Sequence, residues 1–430
     1  MNTTEKIKSD QSYWAVVRKQ FKKNRIAVFA SYVIAIAIFI AMFADFLANE
    51  KPIMAKYKGT IYFPVFKEYA VDLGIAKWPS ALLNVDWENL QFDWAIWPLI
   101  PYLPQNIDFE NAQSVSPFEE QHVKSKRWRH WLGTDELGHD VLAGTIHATR
   151  IALSVGLVAM SVASLIGLIL GSIAGFFGDS HLKISRIGIF FNLLFFVLAL
   201  FYAFGTRAYS LGDAIGQSFI IFLGQLVLSL FEFISIMVLG NLLAKLFSFI
   251  PILNKKIPIP VDMIIMRLIE IVISIPTLFL MISIISIAKP SVFLVMAVIG
   301  LVGWTGIARF IRAELLKVRS LEYIEAAKAL GFKEFRIVFK HAIPNAISPV
   351  LISISFGIAA AILTEASLSF LGVGVPPEVM TWGSLLSSAR SSPSSWWLAV
   401  VPGTAIFIMV TVYNLVGEGL TDAMDPKLRK

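Results

Sequence analysis

Uncharged apolar runs long enough to cross a bilayer recur along this chain, separated by short segments in which the charge collects. About 20 mainly apolar residues span hydrocarbon, because a backbone in lipid must satisfy its hydrogen bonds internally. The first run covers residues 26–44, and the second extends from Ile151 to Phe177. The third and fourth cover Ile187 to Thr206 and Ala214 to about Ala244, with Arg207 and Asp213 bracketing a short turn. A fifth runs from about Met263 to Ala288 and a sixth from Ser291 to Ala308. The seventh and eighth lie at about Pro349 to Leu371 and about Trp396 to Val416. The pattern predicts an all-α, polytopic membrane protein of about eight transmembrane helices.

The interruptions assign the sides. Lys6, Lys8, Arg18, Lys19, Lys22, Lys23 and Arg25 precede the first run, against Glu5 and Asp10. Basic segments stay inside, so residues 1–25 form a cytoplasmic N-terminal segment. The first run is too long for a signal-peptide core and lacks a clear cleavage site, so it reads as an anchor. Residues 45–148 then form an extracytoplasmic loop. Between Asp45 and Asp140 there are nine basic and fourteen acidic residues and six of the eleven tryptophans (Trp78, Trp87, Trp94, Trp97, Trp128, Trp131). Those tryptophans suit either the membrane interface or a small core of the loop itself. Residues 309–348 form a cytoplasmic loop, with eight basic and four acidic residues from Arg309 to Lys340. An even number of spans leaves both termini in the cytoplasm of an inner-membrane protein.

Composition agrees. The chain is 56% hydrophobic and 16% charged, against roughly 25% charged in an ordinary soluble domain. A soluble enzyme, a secreted disulfide scaffold and a disordered chain are all poor fits. With no cysteine there is no disulfide, thiol nucleophile or cysteine-held metal. The net charge of +7 is explained by inner-face anchoring, and nucleic acid is not needed as a partner.

Catalytic signatures are missing. No GxxxxGK[ST] loop is present to cradle a nucleotide, nor any HExxH or GxSxG sequence. His122, His130, His139 and His147 lack metal-ligand spacing and read as solvated or structural. No catalytic residue, metal site or cofactor is therefore expected in this chain. Glu232, Glu270 and Glu365 fall inside spans, where an acid is costly and by default a functional candidate. A proton relay is one reading; pairing against another helix, a water-filled path or an interface is the other. Gly167 and Gly171 stand in GxxxG spacing in the second run, which permits close helix approach.

The segment from Glu322 to Pro349, EYIEAAKALGFKEFRIVFKHAIPNAISP, is the most informative. Strong helix formers predict a helix over 321–330, ended by Gly331, since glycine tolerates the left-handed conformation there. A second basic, amphipathic helix follows and stops near Pro344. The short first helix can rest on its own bundle or fill a groove in a cytoplasmic partner.

Glu325-Ala326-Ala327, then Gly331, then Pro344 resembles the EAA loop of ABC-importer permeases. The run His341-Ala342-Ile343-Pro344-Asn345 is similar to the dipeptide/oligopeptide/nickel class, as a C-type subunit. Gly133-Thr134-Asp135-Glu136-Leu137-Gly138 with Asp140, Glu365-Ala366-Ser367-Leu368-Ser369-Phe370-Leu371-Gly372 and Asp422-Ala423-Met424-Asp425-Pro426 resemble further motifs of that class. Asn49-Glu50-Lys51-Pro52 and Tyr62-Phe63-Pro64 are similar to its microcin C/oligopeptide subgroup. His139 stands where the wider family usually has arginine, and residues 180–261 have no counterpart in the six-span plan. The resemblance implies a type I ABC-importer permease bundle over 149–430, with an inserted helix pair. It implies half of a translocation path for peptides or peptide-like solutes, and Tyr323, Glu325, Ala326, Ala327, Gly331 and Pro344 as residues coupled to an ATPase. Implied partners are a second homologous permease, two cytoplasmic ATPases carrying the ATP and magnesium, an extracytoplasmic solute-binding protein and membrane lipid. A proton-coupled secondary transporter accounts for the spans but not for the EAA-type loop.

Overall fold

The computed structural model describes residues 13–425 except 80, 81, 84, 180, 181, 218, 251, 253 and 288. Glu5, Lys6, Lys8, Asp10, Ala288 and Pro426, named above, lie outside the described residues. In chain order, α1 (Tyr13–Phe21), α2 (Arg25–Met42) and α3 (Ala44–Leu47) lead into β1 (Met54–Tyr57), β2 (Thr60–Tyr62), α4 (Pro64–Asp72) and β3 (Trp94–Ile96). Next come α5 (Val141–Ser172), β4 (Lys183–Ser185), α6 (Arg186–Leu200), α7 (Ala208–Gln217), α8 (Phe219–Leu246) and β5 (Lys256–Pro258). They are followed by α9 (Val261–Ser274), α10 (Thr277–Ile285), α11 (Val292–Val318), α12 (Glu322–Ala329), α13 (Glu334–Ile337) and α14 (Ile343–Ala346). The chain ends in α15 (Ser348–Phe370), α16 (Trp382–Ser388) and α17 (Trp396–Met424).

Among the described residues, seven helices are long and apolar enough to cross a membrane, and α9 with α10 supplies an eighth if that bent pair is one span. The pair corrects the expected continuous fifth span: it turns through 84° at Ile275 and Pro276. Proline has no N–H to give and pushes the preceding residue out of the α region, and Ile275 is extended, with φ −93° and ψ 127°. Two further boundaries move. The turn expected between Arg207 and Asp213 is helical, as α7, and α11 runs on to Val318, so residues 309–318 are helix rather than loop.

Two compact units emerge, residues 1–157 with 358–430, and residues 158–357. In the first, α2 and α17 approach closely, for a Cβ on Gly419 would fall 2.2 Å from that of Ala27. Asn24 caps α2, its side-chain oxygen accepting from the Ala27 N–H at 3.0 Å while its amide donates to Asp422. Small residues again bring backbones together where Gly383 meets the Ala366 carbonyl, a Cβ there falling 2.2 Å from the oxygen. The Trp382 and Trp397 indoles donate to the carbonyls of Thr145 and Thr134.

The segment between the first span and α5 builds its own core, which decides between the two readings of its tryptophans. An antiparallel sheet in the order β2-β1-β3 stands beside a continuous aromatic chain. Ring centroids lie 5.6 Å apart for Trp78 and Trp87, 6.4 Å for Trp87 and Phe92, and 6.0 Å for Phe92 and Trp97. The chain continues at 5.2 Å from Trp97 to Trp128, then through Tyr102 to His130. Of these six tryptophans, Trp94 and Trp131 alone are exposed, at 39% and 53%.

His130 is fully buried between Asp140, 2.8 Å away, and Asp108, 3.1 Å away. Burial alone would lower its pKa, but the two carboxylates outweigh it and push the imidazole up to about 9. Asp108, against burial, is drawn down to about 2 by His130 and Asn111. A raised histidine contributes stability below its unfolded value of 6.5, lost as pH rises through 9. A depressed aspartate contributes above its unfolded value of 3.8, lost as pH falls through 2. This segment should therefore be most stable between about pH 4 and 6.5. Melting followed by tryptophan fluorescence should occur at lower temperature at pH 10 than at pH 6, and His130→Asn should flatten the difference. Equal melting at both values would rule the buried imidazolium out.

In the second unit, α5 ends in a π-turn, Ile173–Phe177, and its small face packs on α11. A Cβ at Gly167 would fall 2.8 Å from the Ile307 side chain, at Gly171 2.5 Å from the Ala308 carbonyl, and at Gly175 2.7 Å from the Arg312 carbonyl. The GxxxG spacing thus marks a real close approach, extended by one turn. The α6–α8 hairpin is held by an edge-to-face contact of Phe196 with Phe233 and by Gly240, which lies against Phe195. Arg207 closes its end, donating to Ser229 at 2.9 Å and Gln225 at 2.6 Å.

Candidate functional site

Strong helix formers and acids near the N-terminus build α12, where Glu322 and Glu325 favour the positive end of the helix dipole and Lys328 the negative end. Gly331 terminates it in the left-handed region, at φ +77°. The Gly331 N–H donates to Lys328 O at 2.9 Å and the Phe332 N–H to Ala327 O at 3.2 Å. That pair of bonds is a Schellman turn, so the sequence-based reading of this glycine holds. The second helix differs from expectation. It is interrupted by a π-turn, Val338–Ala342, and does not stop at Pro344, which sits in the first turn of α14. A missing N–H costs nothing there, because first-turn N–H groups have no helical acceptor.

One side of α12 faces its own chain: Ile324 is fully buried and Ala327 nearly so. Of the alanine pair, Ala327 packs against its own chain and only Ala326 is exposed. Around it Leu330, Phe335, Phe339 and Tyr323 are exposed, Leu330 at 74% and Phe335 at 71%. The Phe335 and Phe339 rings meet at a tilt, with centroids 4.4 Å apart. Several exposed apolar side chains beside exposed charge suit a docking face. Tyr323 is tied to Asn345, and burial outweighs that bond to raise its phenol pKa. Asn345 in turn donates to the His341 carbonyl at 2.6 Å. Arg336 lies 5.0 Å over the Phe332 ring, which also lies parallel to the His341 imidazole at 6.4 Å.

Side chains also tie α12 to the spans of its unit. Lys328 lies 5.5 Å from the Phe176 ring centroid, at the π-turn of α5. Arg312 on α11 makes a two-pronged ion pair with Asp262 at the start of α9, one arm at 2.6 Å. Arg319 reaches towards Gly175 O. Glu325, Lys328, Arg319, Asp179 and Asp262 line a cavity of about 380 Å3. Sequence reasoning missed these anchors, because Asp262–Arg312 and Phe176–Lys328 join residues 50 and more than 150 positions apart. The basic residues near 312–328 were visible only as topology markers.

The three intramembrane acids have separate settings, and none pairs with another among the described residues. Glu365 is buried, accepting from Ser369 Oγ at 2.6 Å and bonded to Thr381. Glu270 is exposed and paired with Arg267 at 2.5 Å. Glu232 lies half-buried on α8. No relay joins them, and among the described residues no group of acids and histidines could hold a metal ion. His139 is taken by Asp135, 2.8 Å away.

Residues 249–430 match the family described as the inner-membrane component of binding-protein-dependent transport systems. Residues 12–62 match the N-terminal transmembrane domain of oligopeptide transport permease C. Residues 63–248 fall outside both matches. The chain is 26% identical over 433 residues to the peptidoglycan transport system permease protein YejE of Agrobacterium fabrum, covering 95% of this chain and 92% of that one. It is 25% identical to the inner membrane ABC transporter permease protein YejE of Escherichia coli, over 97% of each. The dipeptide transport system permease protein DppC of Bacillus subtilis is 28% identical over 70% of each chain.

Proposed function

Because this chain belongs to the family of inner-membrane components of binding-protein-dependent transport systems, as a non-catalytic permease subunit of an ABC importer, we propose that it forms half of a translocation path for peptides and is driven through α12. Relatives named as dipeptide and oligopeptide permeases support the solute class. The observation that carries the coupling is the α12 face: exposed Ala326, Glu325, Leu330 and Phe335 on a loop that Lys328 ties to Phe176 at the end of α5 and that follows α11, itself paired to α9 through Arg312 and Asp262.

In this reading the loop around α12 and both termini are cytoplasmic, and the Trp-rich segment lies outside. The charge supports it: Arg18, Lys19, Lys22, Lys23 and Arg25 flank the first span, whereas acids prevail from Asp45 to Asp140. The partners are a second homologous permease, two ATPases holding ATP and magnesium, a solute-binding protein outside, and lipid around the spans. ATP binding closes the ATPase pair, and the cleft that holds Ala326 and Glu325 carries α12 with it. Gly331 keeps the loop's turn, while Tyr323–Asn345 and the Pro344 turn hold the following segment in register. Lys328 and the Arg312–Asp262 pair pass the displacement to α5, α9 and α11. The conformational change needs contacts that differ between the two states, and this ionic and aromatic set is the place to find them.

Reconstitution in proteoliposomes with the partner subunits tests the reading. Peptide uptake should require ATP, persist with a protonophore and vanish without the ATPases. Uptake driven by a proton gradient in the absence of ATPase would overturn it.

A further inference from the structure

The segment between the first span and α5 lines an open cavity of about 670 Å3, within the range of small-ligand sites. Buried aromatic rings form part of its lining. Trp87 and Tyr102 are 5% and 8% exposed, and Tyr102 packs edge-on against Trp128 while donating to that residue's carbonyl at 2.6 Å. Among the described residues, five carboxylates line the cavity, Glu50, Asp86, Glu88, Asp108 and Glu110, against a single ammonium, Lys124.

The chain answers these charges only in part. Asp108 pairs with His130, and Glu50 accepts from Asn106 with Lys51 3.7 Å away. Asp86 is spent on the amides of its own turn, through Glu88, Asn89 and the Asn89 side chain. Glu110 has no side-chain partner among the described residues. The surplus is felt in the wall: burial, then Asp108, Asp140 and Glu88, raise the Tyr102 phenol above its ordinary pKa. Lys124 shows which group such a lining seats, since its ammonium lies 3.0 Å from Glu88 and donates to the Asn89 side-chain Oδ1 at 2.5 Å. Carboxylates set among tryptophan and tyrosine rings attract organic cations through both charge and ring quadrupole.

We propose that this cavity is a recognition site for an ammonium or guanidinium group of the imported peptide, met before the solute reaches the spans. The proposal rests on the peptide reading above and makes basic peptides the preferred solutes.

Tryptophan fluorescence of the full chain in lipid nanodiscs, titrated at constant ionic strength with trilysine, trialanine and spermidine, tests it. Trilysine should quench saturably and bind at least ten-fold more tightly than trialanine. Glu110→Gln, which removes a carboxylate with no partner to lose, should weaken trilysine binding several-fold, and Glu88→Gln together with Glu110→Gln at least ten-fold. An unchanged melting temperature excludes unfolding as the cause. No saturable response to trilysine, or equal binding by wild type and double variant, would overturn the site. Tighter binding of spermidine than of trilysine would overturn its assignment to peptides. Peptide uptake by the wild-type importer is a separate readout: its absence with trilysine binding intact would defeat the peptide reading alone.

Discussion

A chain carrying Gly331→Val should reach the membrane in normal amounts and import at least ten-fold less solute than wild type. At φ +77° an L-residue costs about 1–2 kcal/mol, and a β-branched one sits at the costly end. Nothing lies within 4 Å of the space a Cβ would occupy, so the penalty comes from the backbone and not from a clash. Strain relaxes by opening the turn. Both Schellman bonds, to Lys328 O and Ala327 O, are then lost, and the chain leaving α12 points elsewhere. Leu330 and Phe335 change position relative to Ala326, so the docking face is broken although every span is intact. At about 1.4 kcal/mol per factor of ten, even the lower end of this cost depletes the docking-competent loop severalfold, and the misaimed face adds to it. Gly331→Asn should keep most of the activity, since asparagine tolerates the left-handed region. Solute uptake, normalised to the amount of protein in the membrane, is the measurement. Normal uptake by the valine variant would remove Gly331 from the coupling machinery.

The same turn shows why some of this molecule was legible in its sequence and some was not. A glycine after EYIEAAKAL has one physical use, to end a helix, and the spans announce themselves because lipid demands long apolar runs. Gly167 and Gly171 were readable as a close approach for the same kind of reason: missing side chains leave room in only one direction. Pro276 bends the fifth span by 84°, yet hydropathy is blind to it, since Ile275 and Pro276 interrupt no apolar run. The tryptophans of the second segment were ambiguous because an indole suits both an interface and a core. Only the neighbours supplied by folding, such as Phe92 between Trp87 and Trp97, decide which. The candidate site divides in the same way. Its local half, the motif and its turn, was legible, and its distant half was not. Asp262 meets Arg312, and Phe176 meets Lys328, only once α5, α9, α11 and α12 are packed.

Charge reversal at Glu325 should be as damaging as the Gly331 change, by a different route. Glu325 is exposed and lines the same cavity as Arg319 and Lys328. Glu325→Arg places a third cation beside those two, at the end of the helix where positive charge is already disfavoured by about 0.3–1 kcal/mol. Exposure to water keeps the internal cost near that figure, so the variant should fold, insert and melt within a few degrees of wild type. Docking fares worse, because presenting the wrong charge to a buried interfacial partner typically costs about 2–5 kcal/mol. The ATPase recovered with the purified permease should fall at least ten-fold, and ATP-driven uptake should fall with it. Glu325→Gln, which removes the charge without reversing it, should lie between the two. The deciding comparison is a compensating change: reversing a basic residue in the ATPase cleft should restore both binding and uptake to Glu325→Arg while impairing the wild-type permease. A Glu325→Arg permease that still holds its full ATPase complement would place the coupling contact elsewhere on the apolar face, at Leu330 and Phe335.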